Sequence, residues 1–167
     1  IAEKPKKTVS MILTSNNRFY GQIHSDLLEF FVNTTQKLNT DYILLGKAAI
    51  EYFRATHLEG EIKEVLLKKD QPDTTEMLAL MNLLNDYKQV LVFYSSMKSL
   101  LIQVPVVTDI TASQTEDRTD QKEFKFIFEP DLPKIYQFFE SQIITLLLEE
   151  TFLESELSRT ASRFISM

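Results

Sequence analysis

From Thr8 to Phe31 the chain runs TVSMILTSNNRFYGQIHSDLLEFF. A branched, apolar run of strand length (Thr8 to Thr14) leads through a polar turn into a segment whose Leu27, Leu28 and Phe31 fall at helical spacing. Strand, tight turn and helix in that order are the layout of a phosphate-binding loop, where glycines let backbone amides close on an anion at the helix mouth. Here the turn holds Gly21 alone, flanked by Tyr20 and Gln22. In a dinucleotide fingerprint, successive glycines permit the turn, the approach to pyrophosphate and close helix-strand packing. With Arg18, Tyr20 and Gln22 in the neighbourhood, a phosphate would meet side chains rather than bare amides. Arg18 alone could hold an anion, but a connection whose exposed side chains touch a partner is the stronger reading.

Downstream the same alternation continues. YILL (Tyr42 to Leu45), EVLLK (Glu64 to Lys68) and QVLVFY (Gln89 to Tyr94) are further strand-length runs. Helix candidates separate them. The first follows Ser25 and carries Leu27, Leu28, Phe31 and Leu38. The second spans about Lys47 to Thr56, with Ile50 and Phe53 inward. In the third, Pro72 and Asp73 precede Glu76 at capping-box spacing, and Met77, Leu80, Met81 and Leu84 form one stripe. Strands alternating with helices imply a mostly parallel sheet flanked by helices, a Rossmann-like α/β domain. After Tyr94, SLLIQVPVV (Ser99 to Val107) and FKFIF (Phe124 to Phe128) read as further strands, with Pro105 marking an edge or a bulge. The polar segment TASQTEDRTDQKE between them reads as an exposed loop. No internal repeat is visible.

The 167 residues suit one domain, which at this size buries roughly 70% of the unfolded chain's surface. With 44% hydrophobic and 25% charged residues the composition is globular, and no apolar run approaches the ~20 residues of a membrane span. A net charge of −6 argues against a nucleic-acid partner. The absence of cysteine excludes disulfides, thiolate-bound zinc and a cysteine nucleophile, and favours a reducing compartment. No signal peptide is visible. A start at Ile1 and an uncapped stop at Met167 suggest a segment of something longer.

The last segment differs in scale. From Asp131, a suitable N-cap with Pro133 tolerated in the first turn, neither glycine nor proline occurs again through Met167. One unbroken helix there would be ~50 Å long, against ~40 Å across for a compact domain of this size. It either breaks or projects. Steps of four and three residues give Leu132, Tyr136, Phe139, Ile143, Leu146, Glu150, Leu153, Leu157, Thr160, Phe164 and Met167. All but Glu150 and Thr160 are apolar, so the stripe has the 3.5-residue period of a coiled-coil seam. Left bare, each large side chain on it would forfeit about 1.5–3 kcal/mol. The seam therefore calls for a cover. The other reading lays the helix along the sheet.

Signals for chemistry are weak. His24 and His57 lie far apart in the chain, show no HExxH spacing and fit ordinary surface or core histidines. Among Glu149, Glu150, Glu154 and Glu156 only Glu150 falls on the seam, and a solvated helix face explains the rest better than paired catalytic carboxylates. No convergent donor set for a metal is visible.

A strand-helix domain followed by a long, seam-bearing helix resembles the gamma subunit family of F-type rotary ATP synthases, the central stalk. TSNNRFYGQIH (Thr14 to His24) is similar to the family's first strand-helix turn. FYSSMKSLLIQVPVV (Phe93 to Val107) resembles its strand, aromatic-and-lysine turn and next strand. FIFEPD (Phe126 to Asp131) resembles the step that opens the C-terminal helix. SRTASRFISM (Ser158 to Met167) resembles the arginine-methionine signature of that helix, with Arg163 and Met167 in register. Arg18 and Gln22 stand where the family usually has glycine, His24 where it has asparagine, and Arg159 where it has glutamate. These departures mark a divergent member.

The resemblance implies a Rossmann-like domain over residues 1–130 and, over 131–167, a C-terminal helix contributing to a coiled-coil stalk, with the N-terminal and distal C-terminal helices outside this chain. It implies a subunit without catalytic residues, cofactor or metal that transmits torque. The implied partners are the alpha/beta-type catalytic head, an epsilon-type subunit and the membrane rotor ring. The location would be cytoplasmic, peripheral to the membrane and not inserted in it. Phe126, Phe128 and Glu129 would lie at the foot, near the rotor ring and the epsilon-type subunit; Arg18, Phe19 and Tyr20 would contact the head. Phe139, Ile143, Leu146, Leu153, Leu157 and Phe164 would form the seam against the absent helix. Two other readings are an α/β enzyme domain binding nucleotide or phosphate at Arg18, and a coiled-coil adaptor with a globular head.

Overall fold

The computed structural model describes residues 7–16, 22–56, 58, 60–111 and 132–166, with side chains in the last stretch described for 140–164. Five strands, β1 (Thr8–Leu13), β2 (Thr40–Leu45), β3 (Ile62–Val65), β4 (Gln89–Met97) and β5 (Gln103–Asp109), form one sheet in the order β3-β2-β1-β4-β5. β1 pairs in parallel with β2 and β4, β2 in parallel with β3, and β5 runs antiparallel to β4. Among the described residues the helices are α1 (Gln22–Thr35), α2 (Lys47–Arg54), α3 (Thr74–Leu84) and α4 (Leu132–Ser166).

The handedness of parallel crossovers distributes the layers. Stepping from β1 to β2 to β3 in one direction places α1 and α2 on the same face, and the reversed step from β3 to β4 places α3 on the other. Two separate cores follow. On the α1/α2 face, Phe31 meets Phe93 edge-on at 4.8 Å, Phe53 at 5.5 Å and Tyr42 at 5.9 Å between ring centroids, joined by Ile12, Leu27, Leu44 and Ile50. On the opposite face Val9, Met11, Leu13, Ile43 and Val92 pack beneath Leu80 and Met81 of α3 and Leu148 and Phe152 of α4. β1, at the centre, is thus buried on both sides, which is why TVSMIL reads as an almost continuous apolar run.

Local chemistry fixes the element ends. Asp73 caps α3, accepting from the Glu76 backbone at 2.8 Å, while the Glu76 carboxylate accepts from the Asp73 backbone at 3.1 Å. α2 has no local side-chain cap. Instead Thr14 Oγ1 at the end of β1 accepts from the Ala49 amide at 3.1 Å and donates to the Leu45 carbonyl at 2.8 Å. Gly46 between them has φ +101°, and a Cβ there would overlap the Thr14 carbonyl and hydroxyl oxygens, so glycine alone fits.

Several boundaries differ from the sequence expectation. α1 begins at Gln22 rather than after Ser25 and ends at Thr35, leaving Leu38 beyond it and 41% exposed. β3 lies two residues earlier than EVLLK. Ser99 to Ile102 is a turn rather than the start of a strand: Ile102 N donates to the Ser99 carbonyl, and Lys98 N to the Ile102 carbonyl at 2.9 Å. Pro105 sits on β5, at the sheet's edge in the described set, where the missing N–H costs little. The FKFIF segment and the polar loop after Thr111 lie outside the described residues.

Candidate functional site

α4 is one helix of 35 residues, and its two sides differ in kind. Leu148, Phe152, Ser155 and Arg159 recur at helical spacing and are all buried against the sheet and its flanking elements. On the opposite side the seam positions face outward. Leu146 is 62% exposed, Leu153 53%, Leu157 55% and Phe164 69%. Ile143 is at the margin, while Glu150 and Thr160 are exposed. The helix does lie along the sheet, as one reading anticipated, but through a different stripe. That contact leaves the apolar seam bare. The side chain of Phe139 lies outside the described ones.

Acidic groups border this face. Glu156 accepts a short hydrogen bond from the Gln71 amide, in the connection before α3. Glu154 and Glu150 lie near Tyr94 of β4; burial pushes that phenol's pKa up, and the two carboxylates add to the rise. Between α3 and α4 runs a cleft of about 380 Å³ with Met77, Leu78, Phe152 and Leu153 among its lining residues and Asp73 and Glu149 among its charged ones.

A second cluster lies at the carboxyl edge of the sheet, where the phosphate of a doubly wound fold would sit. Ser15 Oγ donates to Asp70 at 2.9 Å, the Asn16 amide approaches the same carboxylate oxygen at 3.5 Å, and Asn16 Nδ2 donates to the Leu67 carbonyl at 2.9 Å. The Asn16 carbonyl oxygen accepts from the Lys47 amide at 3.1 Å. Among the described residues the donors after β1, Ser15 and Asn16, are therefore already turned to a carboxylate, the reverse of an anion cradle. His24 at the start of α1 has its pKa lowered to about 4 by burial and then by the Arg159 charge, with Asp70 acting in the opposite direction. Arg159 itself is only 3% exposed and donates to Ser155 Oγ at 2.6 Å.

Arg18, Phe19 and Tyr20, the expected head contacts, and Phe126, Phe128 and Glu129, the expected foot, lie outside the described residues, as does His57. Among the described residues no group of His, Cys, Asp or Glu is placed to hold a metal, and no helix is long and apolar enough to cross a membrane. Sequence reasoning missed the buried Arg159 and the capping of α2 by Thr14. The available signal was the run of small polar residues on α4 (Thr151, Ser155, Ser158) opposite the seam, which marks a closely packed face.

Comparison with known proteins points in one direction. A family model described as ATP synthase matches residues 1–167. The ATP synthase gamma chain of Mycoplasma mycoides subsp. mycoides SC is 24% identical over 169 residues, covering 97% of this chain and 59% of that protein. The chain thus spans about 59% of the length of this curated relative. In fold it is similar to a chain of the Euglena gracilis mitochondrial ATP synthase rotor, with TM-score 0.76 and 13% identity over 96% of this chain and 65% of that one. A chain from the central stalk and c-ring structure of Tetrahymena thermophila mitochondrial ATP synthase gives 0.74 and 15%, over 99% and 77%.

Proposed function

Because the chain is a divergent member of the ATP synthase gamma family, we propose that it is the central-stalk subunit of a rotary ATP synthase or ATPase, carrying torque between a catalytic head and a membrane rotor without performing chemistry itself. The observation that carries this reading is the bare apolar stripe from Ile143 to Phe164 on a helix already anchored to the sheet by its other side. A stripe of 3.5-residue period is matched by a second α-helix, whose knobs lock into its holes and resist twisting. The shaft is then α4 with a helix from the rest of the full-length gamma chain. Residues 1–130 form the Rossmann-like body and 131–167 the stalk helix.

In this reading Arg18, Phe19 and Tyr20 touch the alpha/beta-type head. Phe126, Phe128 and Glu129 lie at the foot beside the epsilon-type subunit and the rotor ring. The complex is peripheral to the membrane on its cytoplasmic side. Asp70 against Ser15 and Asn16 weighs against the enzyme alternative, since a nucleotide phosphate would have to displace a carboxylate. The test is affinity purification of the full-length chain from its own cells. Recovery of catalytic ATPase subunits, lost when Leu153 and Leu157 are both replaced by Asp, is the expected result. Recovery of only unrelated proteins overturns the stalk assignment in favour of an adaptor.

A further inference from the structure

The cleft between α3 and α4 borders the bare seam, because Leu153 belongs to both and Leu78 of α3, 62% exposed, lines the cleft with it. Charge there is one-sided. From Ile135 to Ser158 α4 carries Glu140, Glu149, Glu150, Glu154 and Glu156 and neither Lys nor Arg. Glu149 and Glu156 immediately precede the seam positions Glu150 and Leu157, and Glu154 follows Leu153. These are the flanking positions that in a helix pair choose the partner by charge. Asp73 adds a further carboxylate on the α3 side of the cleft.

We propose that the helix covering the seam is flanked by lysines and arginines, and that on one side these reach into the α3–α4 cleft, making α3 a third wall of the shaft. The inference rests on the stalk reading above and adds to it the chemistry of the covering helix and its contact with α3. Long basic side chains suit this cleft: their methylene stems cover Leu78 and Leu153 while the charged ends meet Glu149 and Asp73. The occupant is a segment of the full-length gamma chain outside these 167 residues, since this chain spans only 59% of the relative's length.

The test uses single substitutions Leu78→Cys, Leu153→Cys and Leu101→Cys in the full-length chain, with maleimide alkylation at each site followed by peptide mass spectrometry. These 167 residues contain no competing cysteine, and Leu101, 75% exposed at the β4–β5 turn, serves as the open reference. The expected result is alkylation about tenfold slower at both Leu78→Cys and Leu153→Cys than at Leu101→Cys. Changing Glu149 and Glu156 together to Lys is expected to restore fast reaction at Leu78→Cys. Slow reaction at Leu153→Cys with fast reaction at Leu78→Cys overturns the three-walled cleft and leaves the covered seam standing. Fast reaction at both overturns the helix pair as well. Protection of Leu78→Cys that survives the charge reversal overturns the basic flank.

Discussion

His24 of α1 feels the charge that Arg159 of the long helix buries. In the fold its pKa falls to about 4 from 6.5, through burial first and then the Arg159 charge, with Asp70 offsetting part of the drop. Between those two values the unfolded chain holds a proton that the folded chain refuses. The His24 contribution is therefore complete above pH 6.5 and is lost as the pH falls toward 4. At about 1.4 kcal/mol per unit, the loss is of order 3 kcal/mol. His24→Asn is expected to flatten stability between pH 6.5 and 4, as measured by urea unfolding at several pH values. A slope unchanged from the parent would show that other groups set the acid limb. Only the small polar residues on the same side of α4 hinted at this, because a charged residue such as Arg159 defaults to the surface and the packing of α4 is what puts it inside.

Among the elements, α4 asks the most of its sequence, since adjacent residues on it serve opposite ends. Phe152 is 2% exposed and closes the core over Met77, whereas Leu153 beside it points outward at 53%. Phe152→Ala should cost about 3–5 kcal/mol by emptying a packed site. Leu153→Ala in the same chain should shift stability by less than about 0.5 kcal/mol. In the full-length chain the second substitution is expected to become costly, about 2–5 kcal/mol, because the residue is then covered. Denaturant titration of both chains makes the comparison; equal small losses for Leu153→Ala in the two would deny the seam a partner.

The apolar stripe of α4 was readable because its period is a property of the sequence, and the capping box at Asp73 because all its parts are local. Thr14 capping α2 was not, since donor and acceptor are brought together only by the pairing of β1 with β2. The LLI of Leu100 to Ile102 read as strand on hydrophobicity alone, yet the backbone closes a turn there and leaves all three side chains exposed. Hydrophobicity does not by itself distinguish a buried strand from an exposed turn.

At the scale of the whole molecule, an acidic body with a bare apolar stripe should respond to salt in two opposite ways. Two copies of this chain meeting seam to seam would bring Glu149, Glu154 and Glu156 of each against the other, on top of a net charge of −6 apiece. Repulsion of that kind keeps the copies apart at low ionic strength. Raising salt from about 0.1 to 1 M shortens the screening length from about 10 to 3 Å and removes the protection. Sedimentation velocity is therefore expected to show a monomer at low salt and growing self-association at high salt, abolished by Leu153→Asp with Leu157→Asp. The full-length chain should behave in the reverse sense: a basic-flanked helix on the same stripe is held partly by charge attraction, so its Tm falls as salt rises. A repulsive stripe is soothed by screening and an attractive pair is weakened by it. Matching signs in the two chains would mean that the acids beside the seam do not select what covers it.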